Sequence, residues 1–192
     1  MDIGQSLGAA VGASMGRAAP FAPGRIRLAS LYEIECFAPD GALRWREVCR
    51  NTVVNAGLDD VLDKYFRGAS YTAGFFVGLT TGTPGFVPAD TMASHAGWTE
   101  FTAYQNGAPT QRPGLALGSV ASQSVDNSAS KASFLITANG STIGGAFVTT
   151  DSTAGGATGT LYGGASFSTG NKSADANDTL NVTVTLTAAS AP

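Results

Sequence analysis

Charge is scarce in this sequence. Asp, Glu, Lys and Arg make up 13% of its 192 residues, about half the quarter usual in globular chains, so Ser, Thr, Asn and Gly must cover much of the surface. The net charge of -3 leaves Arg44, Arg46 and Arg50 as the nearest approach to a basic stripe. Nucleic acid is therefore not an expected partner, because phosphate binding needs clustered Lys and Arg. Histidine occurs once, as His95, and cysteine twice, as Cys36 and Cys49. That set cannot assemble a His cluster or a thiolate site for zinc or iron, so no metal or cofactor is expected. A catalytic triad would have to use His95 as its base, and no spacing identifies the other members. His95 is accordingly given a structural role, capping a turn or packing on Trp98, and no catalytic residue is assigned. No apolar run approaches the roughly 18 residues of a membrane span, and no membrane partner is expected. The start lacks the basic n-region of a signal peptide, Asp2 being acidic.

What is present is one helical period in a chain that otherwise alternates. In Asn55-Ala-Gly-Leu-Asp-Asp-Val-Leu-Asp-Lys-Tyr-Phe66 the apolar Leu58, Val61, Leu62, Tyr65 and Phe66 fall at i, i+3, i+4, i+7 and i+8. This spacing predicts an amphipathic helix over 56–66, with Asp59, Asp60, Asp63 and Lys64 on its opposite face. Asn55 suits the N-cap and Gly68 the glycine just past the end. The stripe is expected to be buried as a plug on a β-sheet.

The first strands are Leu31–Phe37 and Leu43–Cys49, joined by a hairpin turn at Pro39-Asp-Gly-Ala42. Pairing about Asp40-Gly41 puts Cys36 opposite Trp45 and Cys49 opposite Tyr32, so the two sulfurs do not face each other and are expected as free thiols in a reducing compartment. Glu33 and Glu35 come near Arg44 and Arg46 only if the register allows, and the plain reading is a solvated charged face. Further strands are expected over 73–80, 98–104, 115–121, 132–138, 143–150, 160–167 and 179–187, separated by Gly- and Asn-rich turns. The tract Gln105–Gly114, which carries Arg112, is read as a long exposed loop. The pattern is that of an all-β protein, an antiparallel sandwich or jelly roll, and periodicity does not choose between the two.

Residues 1–30 form a separate Gly/Ala-rich arm ahead of a sandwich domain over 31–192. Gly4, Gly8, Gly12 and Gly16 recur every four residues, with Ile3, Leu7, Val11 and Met15 beside them. This small-xxx-small spacing permits close helix packing, although glycine costs a helix about 1 kcal/mol each. If ordered, the arm is expected to lie on another subunit.

Other constellations are weak. Gly155-Gly-Ala-Thr-Gly-Thr160 lacks the Lys-Ser/Thr ending of a phosphate loop. Asp175, Asn177 and Asp178 lack the spacing of a calcium loop and read as a turn. Glu100 and several Asp residues could supply a glycosidase pair, yet no spacing singles one out. Trp98, Phe101 and Tyr104 alternate along a strand and read as core or interface.

Several blocks taken together resemble a family of virion structural proteins of tailed bacteriophages. They are Asn51 to Phe66, Val77-Gly-Leu79, Asp90-Thr-Met-Ala-Ser-His-Ala-Gly-Trp-Thr-Glu100, Gly145-Ala-Phe147, Gly159-Thr-Leu-Tyr162 and Asp178-Thr-Leu-Asn-Val182. The resemblance spans roughly residues 31 to 187, and the arm before Arg25 departs from it. It implies a non-enzymatic protein made in the host cytoplasm and placed in the virion. The leading expectation is a decoration or cement protein on the capsid surface, a homotrimer bound to the major capsid protein. The alternatives are a tail or head-to-tail component and, from another class, a carbohydrate-binding jelly-roll module. Contact is expected through the arm, with Gly4, Gly8, Gly12, Gly16 and Phe21, and through the loops 81–87 and 105–113, with Phe86 and Arg112.

Overall fold

A computed structural model of the chain describes residues 25–71, 74–106 and 110–191. The architecture is all-β, two antiparallel sheets packed face to face. One sheet runs β2 (Leu43–Arg50), β1 (Arg25–Phe37), β13 (Thr179–Ala191), β8 (Ala132–Ile136) and β6 (Tyr104–Gln105), with β7 (Ser124–Asp126) pairing farther along β13. The other runs β3 (Thr52–Val53), β11 (Leu161–Ser166), β10 (Gly145–Thr149), β4 (Phe76–Thr81) and β5 (Thr99–Phe101). A short ribbon of β9 (Ser141–Ile143) and β12 (Lys172–Ala174) lies beside them. Neighbours in the sheets are mostly distant in sequence, and the first and last strands pair along their whole length, Arg25 opposite Ala191 through Phe37 opposite Thr179.

Period-two alternation builds the main core. Tyr32, Ile34 and Cys36 from β1, Phe134 and Ile136 from β8, and Leu180, Val182 and Val184 from β13 meet Val77 and Leu79 from β4 and Ala146 and Val148 from β10. The hairpin takes the expected register, with Tyr32 opposite Cys49 and Cys36 opposite Trp45. Both thiols are free and buried, and burial pushes each up to about 12. Arg46 reaches Glu33, whereas Arg44 turns to Asp175 and Asp178, and Glu35 pairs with Lys131.

A second, smaller core lies on the outer face of the other sheet, where Phe147, Trp98, Met92, Val54 and Leu161 cluster. Phe147 is flanked in the sheet by two glycines, Gly78 on β4 and Gly164 on β11. Its ring occupies the space that a side chain at 78 would fill, and the Phe86 ring does the same over Gly164. The strand β10 is buried at every residue because it is walled by a core on each side.

Three expectations are corrected. The first strand starts at Arg25 rather than Leu31, since residues 25–30 continue the ladder with β13. Segment 115–121 is not a strand: Leu115 is buried and its N–H donates to the carbonyl of Phe75, but Pro113 and glycines interrupt the run and only isolated bridges form. Segment 98–104 divides into β5 and β6, which join different sheets.

Glu47 fastens the turn after β11 to β2. Its buried carboxylate accepts from the N–H and hydroxyl of Ser168, at 3.0 and 3.1 Å, and from the Thr169 hydroxyl at 2.7 Å. Burial acts to raise this carboxyl, but the Thr169 and Ser168 donors outweigh it and hold the group below its ordinary value. A depressed carboxylate contributes stability that is complete above the ordinary value of 4.5 and is lost as pH falls through the lower folded value. Urea midpoints measured across that acid interval should therefore fall for the native chain and fall less for Glu47→Gln. Equal acid losses would contradict this assignment.

Candidate functional site

The helix α1 (Asn55–Val61) continues into a wider π turn at Leu62–Phe66 and stops at Gly68, whose φ of 73° is the left-handed conformation expected just past a helix end. Its cap is not the expected one. Val54, in extended conformation, holds the cap position without a side-chain hydrogen bond, and the N–H of Asn55 donates to the carbonyl of Pro88.

The larger correction concerns which side is buried. The helix meets the sandwich through Gly57, where a Cβ would come within 2.8 Å of the Tyr162 Cα, closer than real Cβ contacts occur. Only a residue without a side chain permits that approach. The apolar stripe consequently points out: Leu62 is 55%, Phe66 65% and Tyr65 81% exposed, and Leu58 is also exposed. The main core contains no residue of the helix. A group of large apolar side chains in water marks a contact surface rather than a solvated face.

Beside this face lies a cleft of about 540 Å³, bounded by the helix, the adjoining parts of β1 and β13, and the segment after Leu115. Val61 and Tyr65 form its helix wall, Leu28 and Leu186 its sheet wall, and Tyr71 and Val120 its rim. Tyr71 and Val120 are each about three-quarters exposed, at 75% and 74%. One polar group in the wall is already engaged, since the Tyr162 hydroxyl donates to the Asp60 carboxylate. Burial, and then that carboxylate, push the Tyr162 hydroxyl above its ordinary value, so it stays protonated as the donor. The turn closing the rim holds Ser122 and Gln123 at positive φ, a conformation non-glycine residues rarely adopt.

Of the residues expected to make contact, Arg112 is placed quite differently. It is 1% exposed. Its guanidinium pairs with both oxygens of Glu100, at 2.9 and 2.7 Å, and donates to the carbonyls of Asp151 and Gly156. It also lies 5.4 Å from the centroid of the Phe147 ring. Arg112 is thus an internal tie between its loop, β5 and the 151–156 turn, because a cation surrounded by acceptors is satisfied away from water. Phe86 is half-buried, leaning on Trp98 with ring centroids 5.1 Å apart, so it anchors its loop rather than standing free. His95 stacks on Trp98 at 3.7 Å, in the packing role anticipated. Asp178 accepts from the N–H of Asp175 in an ordinary turn. Gly4, Gly8, Gly12, Gly16 and Phe21 lie outside the described residues.

Apart from Val61 and Tyr65 of the stripe, the apolar cleft walls are not marked in the sequence; Gly57 and Ala56, small residues on the side of the helix away from the stripe, are the available signal of which side approaches the sheet. Among the described residues no group of three His, Cys, Asp or Glu side chains is placed to hold a metal ion, and no helix is long and apolar enough to cross a membrane. No protein-family model, no curated protein and no solved structure matches the chain.

Removing one member of a buried ion pair leaves the other charge uncompensated, at a cost of about 3–5 kcal/mol. Arg112→Met should therefore lower the unfolding free energy by about that much in urea titration. The double variant with Glu100→Gln should recover part of the loss. A single variant as stable as the native chain would contradict the assignment of Arg112 to the interior.

Proposed function

We propose that this chain is a virion structural protein of a tailed bacteriophage, a decoration or cement protein that attaches to the assembled head as a homotrimer and bridges units of the major capsid protein. The observation that supports the reading is the outward apolar helix face of Leu58, Leu62 and Phe66, on a domain whose cores are complete without it. Protein surfaces of this kind gain most from burial against a partner, at about 25 cal/mol per Å² of apolar area. A site composed of two neighbouring capsomers exists only in the finished shell, so binding there stabilises the assembled state by mass action. The resemblance of the Asn51–Phe66 and Asp90–Glu100 blocks to the phage family points the same way. A glycan-binding role is less favoured: sugar recognition combines aromatic faces with free hydrogen-bonding groups, and the Asp60 carboxylate at the nearby wall already accepts from Tyr162.

The test is cosedimentation with shells of the encoding phage that lack this protein, and separately with its isolated tails. The native chain should pellet with shells. Leu62→Ser and Phe66→Ser alter side chains that are 55% and 65% exposed, so each should leave stability within about 0.5 kcal/mol. Each should weaken attachment by about 2 kcal/mol, close to thirtyfold. Binding to tails alone would replace the cement reading with a tail or head-to-tail role, and binding to neither would overturn both.

A further inference from the structure

We infer that the apolar cleft beside α1 is the seat for the N-terminal arm of a second copy of this chain, and that this exchange of arms closes the homo-oligomer. The proposal rests on the self-association part of the reading above and not on attachment to a shell.

The walls of the cleft are dominated by Leu28, Val61, Tyr65, Tyr71, Val120 and Leu186, with Lys64 on the helix side, and its Asp60 accepts from Tyr162, so it suits an occupant that is mostly apolar. The segment ahead of Arg25 has that chemistry. It offers Ile3, Leu7, Val11, Met15 and Phe21, with only Asp2 and Arg17 charged. Its glycines at 4, 8, 12 and 16 let a backbone lie close against a wall of side chains.

The place where the segment joins the body favours a neighbour's cleft. Leu28, Ala29 and Ser30 line the cleft, and the strand then continues outward through Arg27 and Ile26 to Arg25, paired only with Ala189 to Ala191 of β13 among the described residues. Ile26 on this ribbon is 72% exposed. Three residues of strand carry the root of the arm about 10 Å away from its own cleft. The residues ahead of Arg25 have an extended reach of about 80 Å, ample to cross to an adjacent molecule. Because the donor segment and the receiving cleft are different surfaces, the contact is head-to-tail, and such contacts close into rings when the rotation allows.

The cores are built from residues 32–184, so a chain starting at Arg25 keeps both of them and serves as a fair control. Sedimentation should find the full chain as a closed oligomer and the 25–192 chain as a monomer. In the full chain, Leu7→Asp with Val11→Asp disables the arm, while Tyr65→Asp with Val120→Asp disables the cleft at two exposed positions. Each double variant alone should be monomeric. Their mixture should form a dimer, because one intact arm then meets one intact cleft. A fluorescent peptide of residues 1–24 should bind the 25–192 chain and lose at least tenfold in affinity when Tyr65 and Val120 are replaced.

A monomeric full chain, oligomers indifferent to both variants, or a mixture that stays monomeric would overturn the inference. A monomer in which the peptide still binds the cleft would mean that the arm folds back on its own molecule, which also overturns it. An oligomer formed this way that ignores shells would defeat the proposed attachment while leaving the exchange standing.

Discussion

The contact between Gly57 and the backbone of Tyr162 decides the character of the molecular surface. Two backbones meet there at a distance that leaves no space for a Cβ. That approach fixes the rotation of the helix. With Gly57 inward, Leu58, Leu62, Tyr65 and Phe66 are carried to the outside, where an unsatisfied apolar face persists until a partner covers it. Restoring a side chain at 57 would push the helix off the sheet and reorient the whole face.

The sandwich tolerates a helix held so lightly because its own interior is closed twice. Phe147 serves the outer core from a strand whose neighbours on the two sides are glycines, while Ala146 and Val148 serve the inner one. Arg112 completes the outer side by joining Glu100 and two carbonyls beneath its loop. Glu100 and Arg112, two of the few charges in the middle of the sequence, are thereby engaged in the interior. What remains for recognition is apolar surface, the helix face and the cleft, and the proposed roles in shell attachment and self-association both draw on it.

The strand pattern was legible because period two reports directly on a half-buried sheet. The first hairpin could be read down to its register, with Cys36 opposite Trp45, since the turn at Asp40-Gly41 sets the pairing. The helix was legible as an element but not in its orientation. Periodicity shows that one face is apolar; it does not say whether that face meets the molecule itself or a partner, and the small residues Ala56 and Gly57 were the clue. Arg112 was misplaced because proline and polar neighbours usually mark an exposed loop. A signal was present all the same: Arg112 is the last arginine and Glu100 the last glutamate in the chain, so each had few other partners of opposite charge. The cleft was out of reach of pattern reading, because it is assembled from β1, β13, the helix and a segment without regular structure.

Whether the outward helix face is a contact surface is read most directly by hydrogen exchange measured peptide by peptide on free and shell-attached protein. That role predicts that amides across residues 55–67 become strongly slowed on attachment while those of β10, buried at every residue, change little. Unchanged exchange across 55–67, with new protection appearing instead over the 82–98 loop, would contradict it.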